Sequence, residues 1–368
     1  MKRVLLILLI TLLLTGCWDQ KIYEKIGFTL VVGMEDSTNS DNYLISAASP
    51  IVGMEKGANV EVLTSTAKSF RQAREMRNRL TANFPEAGKM QAILFSDEMA
   101  KTGIHPFLEI FHRVPEDPAL SWVVITEGSP REMLVNASKF KDKPAPGFYL
   151  NQLLENSSNK SYIPETRIYN FDIDYYAKGI DPIAPIIKLR SDGIEVKGSA
   201  LFSDDKTVGK LNSQQTLLLM AMKNSMKNTF YITAIPVFSD SNPESQKTAA
   251  INLNLKKRTL KVKIENDKPV INIFLTLTGN ISDYIWDNLN DIPTQKKIER
   301  SLEKQIKADC INIIKYTQEV GSDPIGIGDI IRAKYISYWN RIDWKEVYKN
   351  ARIDITVKFN IDSYGTIK

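Results

Sequence analysis

The feature that most constrains the fold is a change in hydrophobic pattern part-way along the 368-residue chain. In the first half, short apolar runs alternate with helical patterns, which favours strands interleaved with helices. In the second half, longer segments alternate apolar and polar residues, which is typical of antiparallel strands. A chain of this length exceeds one ordinary hydrophobic core, so we expect two or three domains.

The first half contains four strand patterns and several helical ones. The strands are predicted in KIGFTLVVGME (25–35), YLISAASPIVG (43–53), 90–95 and 119–128. Helices are predicted over 64–84, after the N-capping Ser96, and in SPREMLVNASKF (129–140), which has the serine-proline start of a helix. The stretch 141–165 has linker composition around a short helix.

The second half predicts longer elements. GIEVKGSALFSDDKTVGKLN (193–212) is a hairpin pattern, followed by a helix over 213–224 and antiparallel strands near 229–238, 248–265 and 269–282. The longest helix is predicted over 293–321, another in GIGDIIRAKYISYWNRI (326–342), and a closing strand after residue 350.

These patterns predict a mixed class, α/β to α+β, with mixed or antiparallel sheets and packed helices, and no doubly wound nucleotide fold. The expected division is a leader over 1–16, an N-terminal α/β domain over 17–190 and a C-terminal α+β domain over 191–368. A further boundary near 265–290 is left open.

The start of the chain has the layout of a secretory leader. Lys2 and Arg3 are followed by an apolar run from Val4 to Leu14, broken only by Thr11. The run is about half of the roughly 20 residues that cross a bilayer, so we do not expect a permanent membrane span.

The leader ends in Leu14-Thr15-Gly16-Cys17, which resembles a bacterial lipobox. At such sites the cysteine thiol takes a diacylglyceryl group, the leader is removed and the cysteine becomes the N-terminus. We therefore expect Cys17 to carry S-diacylglycerol and an N-acyl chain, since more than one chain gives stable anchoring. Trp18 would then lie at headgroup level, where an indole is favoured.

Composition excludes several classes of protein. A hydrophobic content of 43% and a charged content of 25% are those of a folded chain. Without the leader, 46 basic and 43 acidic residues leave a formal charge of +3, too small and too dispersed to indicate nucleic-acid binding. With Cys17 acylated, Cys310 has no disulfide partner, and its apolar helical spacing predicts a buried thiol.

The residue patterns give no catalytic, cofactor or metal site. Neither His105 nor His112 has a cysteine or carboxylate at metal-ligand spacing, so both are interpreted as structural or surface residues. Asp172 and Asp174 would share one face of a strand, although such pairs are weak evidence for glycosidase chemistry. GSDPIGIGD (321–329) is a turn into a helix rather than a phosphate cradle.

One short predicted helix is strongly basic, with five cations at Lys68, Arg71, Arg74, Arg77 and Arg79. Lys68, Arg71 and Arg74 follow one another at three-residue steps, which would place them along one side. That side is either a face toward anionic lipid or an acidic partner, or a solvated face partly neutralised by nearby glutamates.

Four stretches carry a resemblance to a known family. They are LTGCWDQKIYEKIGFTLVVGME (14–35), MQAILFSDEMAKTGIHPFLEIFHRVPED (90–117), GSALFSDDKTVGKL (198–211) and DPIGIGDIIRAKYISYWNRI (323–342). Together they resemble the spore germinant-receptor C-subunit lipoproteins, the Ger(x)C family, over nearly the whole chain. The sequence departs from the family pattern at 96–99, where GEEL is usual, and at Ile336, where proline is usual.

The resemblance implies a non-enzymatic lipoprotein of the spore inner membrane, attached at its outer face and needed for nutrient-triggered germination. Its implied partners are the integral-membrane A and B subunits of the receptor and, through Cys17, membrane lipid. No cofactor and no nucleic acid are implied. Two alternatives differ in class: a solute-binding lipoprotein of a transporter, which requires two doubly wound lobes, and an exported wall hydrolase, which requires a catalytic constellation.

Overall fold

The computed structural model describes residues 26–37, 42–51, 60–113, 118–227, 229–238 and 246–363. Cys17 and Trp18, and with them the predicted lipid attachment, lie outside these residues. Within the described residues the strands form three sheets, of eight, four and two strands.

The first ten strands build the eight-stranded and two-stranded sheets. They are β1 Ile26–Phe28, β2 Val31–Asp36, β3 Tyr43–Pro50, β4 Val60–Ala67, β5 Phe84–Glu86, β6 Ala92–Ser96, β7 Trp122–Glu127, β8 Ile183–Arg190, β9 Gly193–Ser203 and β10 Lys206–Asn212. The large sheet has the order β10-β9-β8-β7-β6-β2-β3-β4, and β1 pairs with β5. Its four central strands are parallel, and both outer pairs are antiparallel.

Helices cover both faces of this sheet. In chain order they are α1 Phe70–Asn78, α2 Asp97–Thr102, α3 His105–Leu108, α4 Pro130–Ala137, α5 Pro146–Asn159 and α6 Ile168–Tyr176. On one face α4 and α5 bury Leu134 and Leu150 against Trp122. On the other face, Phe171 of α6 packs with Phe95 of the sheet in a core that α1, α2 and α3 complete.

The rest of the chain forms a third core around the four-stranded sheet. Its elements are α7 Ser213–Lys223, β11 Thr229–Pro236, β12 Gln246–Glu265, β13 Lys268–Asp283, α8 Ile292–Val320, α9 Ile327–Lys334, α10 Ile336–Trp339, α11 Trp344–Lys349 and β14 Arg352–Ser363. The sheet order is β11-β12-β13-β14, antiparallel except for the parallel pair β13 and β14. Ile306, Cys310 and Ile313 of α8 lie in this core.

The predicted fold class is confirmed: mixed and antiparallel sheets are covered by packed helices. The domain bounds stay a prediction. The large sheet continues across residue 190, since β8 pairs with β9 from Arg190↔Gly193 onward. Between 265 and 290, where a further boundary was left open, the chain runs through the end of the β12–β13 hairpin and out of β13.

Two local predictions are wrong. Residues 64–67 are the end of β4, because pairing with β3 extends the strand before the helix starts at Phe70. Residues 171–176 lie in helix α6, although their aromatic residues favour a strand, because Phe171 completes a core against Phe202. The short helix predicted within the linker-like stretch 141–165 is present as the 14-residue helix α5, whose Leu150 and Leu154 are fully buried.

No helix in the described ranges is both long enough and apolar enough to span a bilayer.

Candidate functional site

The described structure begins beside the basic helix. Strand β1 starts at Ile26, nine residues after Cys17. It pairs in parallel with β5 through Ile26↔Phe84, and α1 contacts both β4 and β5. The predicted anchor therefore leads directly into the part of the molecule that carries the basic helix.

The start of α1 is fixed by local hydrogen bonds. The Ser69 hydroxyl accepts from the Gln72 N–H at 3.2 Å, and the Gln72 side-chain oxygen accepts from the Lys68 N–H at 2.8 Å. Such reciprocal bonds satisfy N–H groups that the first turn leaves unpaired. Phe70 and Ala73 face the core, which leaves Arg71 in solvent.

The three cations predicted to share one side of the helix are arranged differently. Lys68 precedes the helix and is exposed, Arg71 is exposed, and Arg74 is half-buried. The Arg74 guanidinium lies 3.4 Å from the Glu86 carboxylate of β5, so Arg74 is neutralised within the molecule. The free basic surface of this region is therefore made by Lys68 and Arg71, with Arg79 at the end of the helix.

Apolar side chains interrupt the same surface. Leu80 is 65% exposed and Met76 is 37% exposed. Cations next to exposed apolar groups are typical of surfaces that meet a membrane interface. Arg77, also counted among the basic residues of the sequence, is buried and does not contribute to this surface.

A second polar site joins the two halves of the chain around Asp323, which is 1% exposed. Its Oδ1 accepts from the Gly326 N–H at 3.0 Å, and its Oδ2 accepts from the Gly328 N–H at 2.9 Å and the Trp344 indole N–H at 3.1 Å. Burial raises the pKa of the Asp323 carboxyl to about 6. The loop before α9 is thus folded around one carboxylate.

Asp181, in the loop two residues before β8, completes the contact between the halves. Its Oδ2 accepts from the Asp323 N–H at 2.8 Å and its Oδ1 from the Asp204 N–H at 3.1 Å. In return, the Asp181 N–H donates to the Asp323 carbonyl at 2.9 Å. Burial raises the pKa of the Asp181 carboxyl. We call Asp181 and Asp323 with these bonds the aspartate junction.

The aspartate junction decides between the two interpretations of GSDPIGIGD. The N–H groups of Gly326 and Gly328 are taken by Asp323, so the loop offers them to no phosphate. Gly326 lies in the left-handed region at φ 78° and directly precedes α9, which confirms the turn. The sequence held a signal that was missed: Asp-Pro-Ile occurs at 181–183 and again at 323–325.

The signature glycines of the β9–β10 hairpin are also explained by close approaches. A Cβ on Gly198, at φ 135°, would lie 2.0 Å from the Leu211 carbonyl oxygen. A Cβ on Gly209 would lie 2.8 Å from the Tyr316 hydroxyl, which accepts from the Lys210 N–H at 3.2 Å. These glycines serve packing rather than chemistry.

The remaining candidates for chemistry have structural roles. His105 is buried, stacks on Tyr175 with ring centroids 3.9 Å apart, and has its Nε2 3.5 Å from the Asp172 carboxylate. Asp174 instead contacts the Lys223 ammonium at 3.3 Å, so the two acids of FDIDYY do not face one site. Cys310 is fully buried, as predicted, and burial raises the pKa of its thiol.

Within the described residues, no group of three or more His, Cys, Asp or Glu side chains is arranged to hold a metal. The His112 side chain lies outside what the structure describes.

Two family models match successive parts of the chain. "Spore germination protein N-terminal domain" matches residues 19–189, and "Spore germination B3/GerAC like, C-terminal" matches residues 197–365. The chain belongs to the Ger(x)C family. The aspartate junction connects the two matched regions, because Asp181 falls in the first and Asp323 in the second.

Full-length relatives support the family assignment. The chain is 25% identical over 368 residues to spore germination protein GerQC of Bacillus cereus, covering 99% of each chain. It is 23% identical over 378 residues to spore germination protein B3 of Bacillus subtilis (strain 168), covering 97% of this chain and 96% of that one.

A solved structure shows the same fold. The crystal structure of the GerBC protein matches with a TM-score of 0.55 at 16% identity, covering 91% of this chain and 98% of that chain. As a Ger(x)C member the chain is a spore germination receptor C subunit, and it is not an enzyme.

Proposed function

We propose that this protein is a lipid-anchored subunit of a nutrient germinant receptor. In this proposal it is held at the outer face of the spore inner membrane by the acylated Cys17 and acts through contacts with the A and B membrane subunits. The observation that carries the proposal is the family match from residue 19 to residue 365, preceded directly by a lipobox-like Leu14-Thr15-Gly16-Cys17.

Chain length limits how far the body stands from the membrane. Ile26, the first residue of β1, is nine residue steps from Cys17, and a fully extended chain spans at most about 3.5 Å per residue, so β1 lies within about 30 Å of the anchor. The basic surface of α1 belongs to the same region. Each cation near an anionic leaflet contributes about 1 kcal/mol, so Lys68 and Arg71 favour an orientation with α1 toward lipid.

Tethering also supports a function based on contact. Proteins confined to one membrane meet at a raised effective concentration, so a modest affinity for the A and B subunits is enough to keep them together. The transporter alternative loses its structural basis, since the described strands form a mixed eight-stranded sheet and a four-stranded sheet rather than two doubly wound lobes.

The anchor is tested by the mass of the N-terminal peptide of the protein purified from membranes. We expect the leader to be absent and Cys17 to carry diacylglyceryl and N-acyl groups. Cys17→Ala should abolish both the lipid and the removal of the leader. Cys310→Ala is the matched control, because Cys310 is buried in the core and should change neither. An unmodified Cys17 in the wild-type protein would refute the anchor.

A further inference from the structure

A pocket of about 150 Å³ opens beside β1, where strands β3 and β4 meet the end of α1. Its lining includes the charged side chains of Arg77 and Glu61, the polar side chains of Ser49 and Asn83, and the apolar Leu63. The pocket is therefore small and amphipathic, and the described part of its lining has one charged group of each sign, Arg77 and Glu61.

Arg77 is the unusual member of this lining. It is only 3% exposed, yet its Nε has no hydrogen-bond partner in the part of the chain that the structure describes. Its Nη1 donates a long hydrogen bond to the Thr29 hydroxyl at 3.4 Å, and the centroid of the Phe70 ring lies 6.0 Å from its Cζ. Among the described residues Arg77 forms no ion pair, and the neighbouring charge that acts on it is the like-charged Arg74.

Another low-exposure arginine of the same domain shows what a satisfied site looks like. The Arg167 guanidinium donates to the Glu155 carboxylate at 2.8 Å and to the Leu120 carbonyl at 3.2 Å, and it lies 3.8 Å from the centroid of the Trp122 ring. Among the described residues, the Arg77 guanidinium has no carboxylate partner and donates to no carbonyl, and the ring beside it, that of Phe70, lies farther away at 6.0 Å. Burial lowers the pKa of Arg77 to about 10, which still leaves it charged at neutral pH.

A buried charge without a partner is costly, and an ion that enters the pocket would relieve that cost. The planar guanidinium pairs best with a carboxylate or phosphate, through two parallel hydrogen bonds. Glu61 lines the same pocket and repels a doubly charged anion, while it attracts an ammonium group. The chemistry thus favours a small monoanion, above all one that also carries a positive group.

We infer that this pocket binds a small solute through its carboxylate, held by Arg77, and that Glu61 selects solutes with an ammonium group. The binding site belongs to the chain itself and does not depend on the membrane anchor. It gives this subunit a ligand of its own, in addition to any contact with other receptor subunits.

The test is calorimetric titration of the full-length protein in detergent with sodium acetate, glycine, inorganic phosphate and sodium chloride. We expect one saturable site for acetate and for glycine, with glycine the tighter, and neither phosphate nor chloride saturating it. Arg77→Met should weaken acetate binding at least tenfold, while Arg71→Met, an exposed arginine on the same helix, should leave it unchanged. Glu61→Gln should weaken glycine binding but spare acetate.

Several outcomes would overturn the inference. They are the absence of saturable acetate and glycine binding to the wild-type protein, tighter binding of phosphate than of acetate, and equal losses in the Arg71 and Arg77 variants. If Arg77→Met does not fold, Arg77→Lys keeps the charge but removes the two-bond geometry and should still weaken acetate binding. Absence of saturable acetate and glycine binding in the wild-type titration overturns the inference even without a variant.

Discussion

At the scale of single residues, the aspartate junction depends most on the Asp323 side chain. One carboxylate accepts from two backbone N–H groups and one indole, all of them buried. Asp323→Asn keeps the size but replaces one acceptor oxygen by a donor, which leaves N–H groups unsatisfied. We expect a loss of about 1–3 kcal/mol in the free energy of unfolding, measured by urea denaturation.

The control for this variant is Asp329→Asn, since Asp329 is a half-exposed carboxylate with a local ion pair to Arg332. Asp329→Asn should lose less than about 1 kcal/mol in the free energy of unfolding. Equal losses in the two variants would contradict the role assigned to Asp323.

The same residue predicts a pH dependence. Because burial raises the pKa of Asp323 to about 6, the folded state binds its proton more tightly than the unfolded state does. Its contribution to stability is therefore fully present at low pH and is lost as the pH rises through about 6. Between pH 7 and pH 5 the wild type should gain about 1 kcal/mol relative to Asp323→Asn. If the difference in free energy of unfolding between the wild type and Asp323→Asn is the same at pH 7 and pH 5, the raised pKa is contradicted.

At the scale of elements, the β9–β10 hairpin depends on Gly198. Gly198 and Gly128 both have positive φ, but only at Gly198 would a Cβ collide with backbone, whereas at Gly128 nothing lies within 4 Å. We expect Gly128→Ala to lower the free energy of unfolding by about 1 kcal/mol, because only the positive φ disfavours a side chain there. Gly198→Ala should lower it by about 3 kcal/mol or more, because the collision with backbone is added. Thermal unfolding of both variants measures the difference, and equal costs would show that the hairpin relaxes without strain.

The elements also show what sequence patterns can and cannot predict. The hairpin and helix α8 were predicted closely, because turn residues and a long amphipathic repeat are local signals. Helix α6 was missed because its aromatic residues favour a strand until their tertiary partners are known. The aspartate junction joins residues 142 positions apart, so no local periodicity predicts it, and its one sequence signal is the Asp-Pro-Ile that occurs at both places.

The buried state of Arg77 was missed for a similar reason. In the sequence it is one of five cations in a basic segment, and the helical repeat alone does not tell which face the sheet covers. Lys68 and Arg71 are exposed, while Arg74, which the three-residue spacing assigns to the same side of the helix, is half-buried and pairs with Glu86. The exposed cations of this segment can be told from the buried or paired ones only when the packing of α1 against β4 and β5 is known.

At the scale of the whole molecule, the exposed cations Lys68 and Arg71 predict an orientation with α1 toward the membrane. Residues 18–368 should bind vesicles that contain anionic lipid weakly and release them at high salt. Lys68→Gln with Arg71→Gln should lower that binding about tenfold or more, by about 1 kcal/mol for each charge. Lys263→Gln with Lys358→Gln, two exposed lysines of the four-stranded sheet, is the matched control. Equal losses in both double variants would mean that α1 does not face lipid.

If the chain works as a tethered receptor subunit, nutrient-triggered germination depends on both the protein and its lipid anchor. Spores carrying Cys17→Ala are compared with a full deletion and with Cys310→Ala. The account predicts that the first two lose the nutrient response, keep germination by a non-nutrient trigger, and differ from Cys310→Ala, which germinates normally. A normal nutrient response in the deletion, in a strain without sister receptors, would contradict the claim.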